Sequence, residues 1–258
     1  IFLDGVPTPA RTAAMIHPYV PDEKHGAKYT GPLHIDVDTL ASDLIELERR
    51  GYTVKIHAAG DRSVRVALDA IELARDETGN AEKRHEIAHA GYIDEQDLPR
   101  FAALNAVADL SPVIWHPSPI IDAVIMALGK ERGERYWPIR DLLDSDAPVL
   151  AGSDWPSAVP DANPWVGIEA FVTRRDPRGD APGALWPEQA ITLAEALEIY
   201  TMHGARAMLL EDQIGSIAVG RKADLIVLER NPFDIPIDEV GETVVLQTWF
   251  DGRRVYEK

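Results

Sequence analysis

Three short strand-like stretches in this chain each end on a side chain able to bind a metal or move a proton. Val149–Pro156 reads VLAGSDWP: an apolar run closes on Gly-Ser-Asp, and Trp-Pro stops the strand. Thr53–His57 (TVKIH) and His85–His89 (HEIAH) close on a histidine in the same way. The apolar run of Val149–Ala151 reads as a strand buried on both faces, as in parallel sheets. Parallel strands need crossover connections, usually helices. The expected class is therefore α/β, with His57, His89 and Asp154 at the carboxyl ends of their strands. In a (β/α)8 barrel that is the end where catalytic groups collect.

The segments between the runs supply the helices. Asp36–Gly51 carries Leu40, Leu44, Ile45 and Leu47 at helical spacing and stops at Gly51. Arg62–Asp76 follows with Asp61 as its cap and Val64, Ala67, Leu68, Ile71 and Leu73 on its apolar side. Asp94–Asn105, Ile139–Ser145, Trp165–Arg175 and Thr192–Leu210 read as further helices, the last opening with a Thr192/Glu195 capping box. Strands are expected at 1–5, 53–57, 85–89, 106–114 and 149–154. Eight strands close a barrel, so these five form either an open sheet or the later part of a barrel with three strands upstream of Ile1. The start on a strand, with no Met, predicts that the chain begins inside a larger protein. After Leu210 the pattern turns β-rich at Gly215–Val219, Ala223–Leu228 and Val244–Phe250, a small separate module.

Composition narrows the function classes. The 258 residues carry a net charge of −17, which argues against nucleic acid and anionic membranes as partners. Cysteine is absent, so neither a disulfide framework nor a thiolate metal site is available, in keeping with a cytoplasmic enzyme. No apolar run approaches the ~18 residues of a membrane span.

Each candidate group has a plainer explanation beside the chemical one. His57 precedes Ala-Ala-Gly, which leaves room above its ring for an ion and a substrate; a lone strand-end histidine is also explained by a hydrogen bond. His85, Ile87 and His89 share a face by the period of two. His85 and His89 lie ~13 Å apart along the strand, so they cannot share one ion, and His85 reads as a core residue. Asp154 either caps the next helix or joins the two histidines, and imidazole with carboxylate is a donor set that zinc accepts. Asp61-Arg62 reads as a cap and a salt bridge. His116, after the strand AVADLSPVIW, either reaches substrate or packs. Lys55 shares the His57 face and requires an acidic partner. Trp115, Tyr136, Trp137, Trp155 and Trp165 fit either an apolar substrate pocket or packing between loops and helices.

The ordered segments FLDG, IHAAGDRSVRVALDAIE, RHEIAHAGYID, SPVIWHP, LAGSDWP, NPWVGIEAFVTR, ITLAEALEIYT and IGSIAVGRKADLIVLERNPF resemble the amidohydrolase superfamily, and within it the branch of N-substituted formamide deformylase-like hydrolases. The resemblance covers the whole chain. It implies a metal-bearing (β/α)8 TIM barrel, here only its later strands over 1–210, flanked by a small β-sandwich to which 211–258 contributes. His57 and His89 match the metal ligands of the fifth and sixth strands, and Asp154 the ligand and general base of the eighth. His116 and Trp155 would border the substrate. Asp224 belongs to the sandwich.

The family's first-strand His-x-His pair is missing from this sequence, and a Lys that is often carboxylated and bridges two metals is expected just upstream of Ile1. The implied cofactor is zinc, Zn2+, as one or two divalent ions. The implied reaction is hydrolysis of an amide or related non-peptide C–N bond. Heterocycle deamination is a rival, but its His-x-x-Glu shuttle is replaced by His57 followed by AAGDR. Ester or lactone hydrolysis and a non-catalytic barrel remnant acting as a binding module stay open. The partners implied are a small-molecule substrate and at most a second copy in a homodimer, with neither nucleic acid nor membrane.

Overall fold

The computed structural model describes residues 1–157 and 159–258. It divides into two compact units, Ile1–Leu110 with Pro117–Val149, and Ser111–His116 with Leu150–Lys258.

The first unit is built on short parallel strands: β1 (Lys55–Ala58), β2 (Glu86–His89) and β3 (Val107–Leu110). Both pairings are parallel. The sheet continues to β4 (Val149–Ala151) in the order β1-β2-β3-β4, and the Ala108 N–H donates to the Pro148 carbonyl at 2.9 Å. Successive strands are thus neighbours, the order of a singly wound wall, with none of the reversal of a doubly wound sheet. The expected strand at 1–5 is reduced to a parallel bridge between Phe2 and His57. The His57 N–H donates to the Ile1 carbonyl (2.8 Å) and the Leu3 N–H to the His57 carbonyl (3.0 Å). Gly5 then turns the chain away.

Two helices cover one face. In α1 (Val37–Arg49) Asp36 caps the Thr39 N–H at 2.9 Å, and Leu40, Ala41 and Leu44 are buried. In α2 (Asp61–Thr78) the buried stripe is Val64, Ala67, Leu68, Ile71 and Ala74, while Leu73 is exposed. A fully buried Leu or Ile contributes about 1.5–3 kcal/mol. Gly79 ends α2 in the left-handed conformation, φ 65°. The cap of α2 is Gly60, not Asp61. Asp61 instead accepts the Ile16 N–H at 2.7 Å, and burial pushes its carboxyl pKa up. Arg62 donates to the Gly31 carbonyl at 2.6 Å. Both residues therefore tie the long loop at 6–35 to the start of α2.

The expectation for His85 holds. Its side chain is fully buried, Nδ1 accepts the Val54 N–H at 3.0 Å, and Nε2 meets Glu48 of α1 at 2.8 Å. Glu48 also accepts Arg75 and the Thr78 hydroxyl from α2. The short helices α3 (Leu98–Ala103), α4 (Pro119–Leu128), α5 (Lys130–Gly133) and α6 (Ile139–Asp144) complete this unit.

In the second unit α7 (Pro164–Thr173) presents Phe171 edge-on to Trp115, with ring centroids 5.0 Å apart. The helix expected over Thr192–Leu210 opens with the capping box, as α8 (Leu193–Glu198). It then widens into a π-turn at Ile199–His203 and resumes as α9 (Gly204–Ala207). An antiparallel sheet of β5 (Leu225–Leu228), β6 (Val245–Phe250) and β7 (Arg253–Glu257) follows. Gly215–Val219 is not a strand. Ile217 and Val219 are exposed, and among the described residues no strand runs beside this segment to form a ladder with it.

Candidate functional site

Register places the side chains. Lys55 pairs with Glu86, Ile56 with Ile87, His57 with Ala88, and Ala88 with Asp109. Paired residues leave the same face. Lys55, His57, Glu86, Ala88 and Asp109 therefore share one face, and Ile56, His85 and Ile87 the helix-covered one. By the period of two His89 belongs with His85 and Ile87. The backbone overrides the pattern: His89 has φ 66° and Ala90 φ 42°, left-handed values that residues other than glycine seldom adopt. The His89 ring thereby meets the His57 ring edge-on, centroids 4.7 Å apart at 78°. Phe2 stacks on His57 at 5.0 Å.

Asp4 sits beneath this pair with its side chain fully buried. It accepts the backbone N–H groups of Ala14 (2.8 Å), Ala59 (3.0 Å) and Gly60 (3.0 Å) and the Ser63 hydroxyl (2.6 Å). Its Oδ1 is also 3.3 Å from His57 Nδ1. That nitrogen is buried without a hydrogen-bond partner. A Cβ at Gly60 would lie 2.2 Å from the Ala14 carbonyl oxygen, so only glycine lets the loop cross so close to the end of β1. Asp4 carried no role in the reading of the sequence. Its signal there was a carboxylate inside the apolar IFLDG run.

The acidic partner required by Lys55 is Asp109, in direct ion-pair contact, with Glu86 at 4.0 Å. Burial, and then the Asp109 charge, push the Glu86 carboxyl above its ordinary range.

Asp154, Trp155 and His116 belong to the second unit. Asp154 follows β4 with φ 53° and is exposed. It does not cap the following helix, because α7 starts ten residues later with Asn163 as its cap. Two of the three expected metal ligands, His89 and Asp154, thus occupy left-handed backbone at strand ends, a placement that strained functional residues favour. The Trp155 N–H donates to Ser153 Oγ at 3.1 Å, its ring is 57% exposed, and the Trp155–Pro156 bond is cis. His116 Nε2 lies 3.1 Å from the Val113 carbonyl and must donate to it, while Nδ1 is 3.7 Å from Asp176. Burial raises the Asp176 carboxyl, but the Arg178, Asp180 and Ala181 N–H groups and His116 outweigh it and hold the pKa below the ordinary value. The other aromatic candidates, Trp115, Tyr136, Trp137 and Trp165, are all buried; they pack, and Trp155 alone of the five is exposed. Among the described residues no group of three or more histidines and carboxylates is gathered closely enough to hold a metal ion. The chain brings together the two imidazoles and their supporting carboxylate.

Comparison with known proteins places this arrangement. The chain is 32% identical over 223 residues to protein LONG AFTER FAR-RED 3 of Arabidopsis thaliana, covering 86% of the chain and 37% of that protein. It is 29% identical over 220 residues to the N-substituted formamide deformylase of Arthrobacter pascens, covering 83% and 38%. The crystal structure of an uncharacterized metal-dependent hydrolase from Pyrococcus horikoshii superposes with a TM-score of 0.73 at 28% identity, over 92% of this chain and 45% of that one. The chain spans less than half the length of these relatives. The amidohydrolase family model matches residues 1–256. A parallel sheet with strand-end histidines, matched from end to end by that model, makes this chain a member of the amidohydrolase family.

Proposed function

We propose that the chain supplies the later part of a metal-dependent hydrolase that cleaves an amide or related non-peptide C–N bond. The observation that carries this reading is the meeting of the His57 and His89 rings at the ends of adjacent parallel strands. The donor set fits a divalent cation such as zinc: two imidazoles meet at adjacent strand ends, and imidazole with carboxylate is a set that zinc accepts. His57, His89 and Asp154 would hold the ion, with a carboxylated Lys just upstream of Ile1 as the bridge when two bind. When bound, such an ion supplies Lewis acidity, which polarises a carbonyl and acidifies water.

Asp154 takes the proton of the attacking water and hands it to the departing amine nitrogen. Its exposed carboxylate beyond β4 suits a group that must meet water and substrate. His116 and Trp155 border the substrate, with the open indole of Trp155 offering an apolar surface. The name of the deformylase relative, which acts on N-substituted formamides, supports the choice of a C–N bond. In this reading 1–210 belongs to a (β/α)8 barrel and 211–258 to a composite β-sandwich, in a cytoplasmic enzyme acting on a small molecule as a monomer or homodimer.

The test is metal analysis of the full-length protein together with a panel of N-substituted amides. Asp154→Asn should lower kcat by about 10²–10⁴-fold, the usual worth of a general base, with the melting temperature retained. Full turnover in that variant would remove Asp154 from the mechanism.

A further inference from the structure

Asp4 is a buried carboxylate to which the proposed reaction gives no task. Three of its hydrogen bonds fall on Oδ2, from the Ala14 and Gly60 N–H groups and the Ser63 hydroxyl. Oδ1 receives one, from the Ala59 N–H. A carboxylate offers about four acceptor positions, two on each oxygen. Oδ2 is therefore fully used and Oδ1 has capacity left, and Oδ1 is the oxygen 3.3 Å from His57 Nδ1. If Nδ1 carried a lone pair, two lone pairs would face each other inside the protein. If it carries the proton, a small rotation of the ring completes both groups. The Phe2 ring, stacked on His57 with 27° between the planes, limits the ring to that small motion.

We propose that Asp4 is a positioning residue: its Oδ1 receives the Nδ1 proton of His57, fixes the neutral imidazole in the Nδ1–H tautomer, and aims Nε2 at a divalent cation. The inference rests on the reading of His57 as a metal ligand. The same carboxylate grips the Ala59 and Gly60 N–H groups that directly follow β1, so ring and backbone are held from one point.

The first readout needs no metal. In the metal-free, ¹⁵N-histidine-labelled full-length protein at mildly alkaline pH, long-range ¹H–¹⁵N correlation reports each tautomer, and the spectrum of His57→Ala identifies the His57 signals. His57 should be Nδ1–H in the wild type and should shift toward Nε2–H in Asp4→Asn. Ser63→Ala, which removes a donor from Oδ2 only, should leave the tautomer unchanged. The second readout is zinc affinity by chelator competition. Asp4→Asn should weaken it about 10–100-fold, as loss of a ligand-orienting partner does, and His57→Ala should weaken it at least as much.

An Nε2–H tautomer in the wild type overturns the inference, whether or not Asp4→Asn folds. If His57→Ala loses zinc but a folded Asp4→Asn does not, the role of Asp4 falls and the ligand reading survives. If His57→Ala binds zinc like the wild type, the ligand reading itself fails, and the metal-directed role of Asp4 with it.

Discussion

Replacing Glu48 by Ala should be among the most damaging single changes in the first unit. Its side chain is 1% exposed and gathers three donors: the Arg75 guanidinium, the Thr78 hydroxyl at 2.7 Å and His85 Nε2 at 2.8 Å. The Ala variant takes the carboxylate from a cation whose own side chain is only 10% exposed and from an imidazole N–H, while the Thr78 hydroxyl keeps the Ala74 carbonyl at 2.8 Å. Breaking a buried ion pair from one side costs about 3–5 kcal/mol. Arg75 keeps the Lys83 carbonyl as a partner, which holds the expected loss within that range. Against a typical total of about 5–15 kcal/mol, such a loss is large. Urea unfolding should show the midpoint falling while the slope is kept, and amide exchange should quicken in α1 and α2. Glu48→Gln, which retains volume and one acceptor oxygen, should fall between wild type and Ala. A loss below about 1 kcal/mol, the worth of an exposed pair, would refute the claim that this network clasps the two helices to His85, the residue just before β2.

Two further outcomes follow from the same geometry. Burial lowers the pKa of His85, so the unfolded chain takes up its proton first. The stability that the neutral ring contributes is complete above the unfolded value of about 6.5 and is lost as pH falls below it, by at most about 1.4 kcal/mol per pH unit; an unfolding series from pH 8 to 5 should show this slope shrink in His85→Gln, and an unchanged slope would assign it elsewhere. Gly91→Ala would set a Cβ 2.1 Å from Tyr136, whose ring stacks on Tyr92 at 4.5 Å and on Trp137 at 3.5 Å; the overpacking should cost about 1–3 kcal/mol and weaken the near-ultraviolet circular dichroism of this cluster, and a wild-type melting curve would show that Tyr136 can move aside.

Much of the wall around the site was readable from local pattern. The stretches expected at 53–57 and 85–89 contain strands at Lys55–Ala58 and Glu86–His89, where Ile56 and Ile87 take the alternate positions that face the helices. The Thr192/Glu195 box is where the spacing put it, since a capping box uses only residues three apart. His85 belongs to the core because a strand-internal histidine four residues before another cannot reach the same end. The helix beyond that box could not be read whole. Its π-turn at Ile199–His203 leaves the apolar spacing too little altered to notice. Gly215–Val219 has β-like composition, but pairing needs a neighbour that composition does not specify.

The amino-acid sequence by itself determined which chemical groups end the parallel strands: His57, His89 and Asp154 close short strand-like stretches, and periodicity in a strand is a local property. Only the tertiary structure decided which way those groups face and what supports them. His89 crosses to the His57 side through a left-handed φ that its period of two contradicts. Asp4 grips residues 55 and 56 positions further along the chain, and Lys55 finds Asp109 two strands away. Hydrogen bonds and ion pairs of that span form only after the sheet is assembled. No window of neighbouring residues records them, and a buried polar group declares its partner only once the fold has removed it from water.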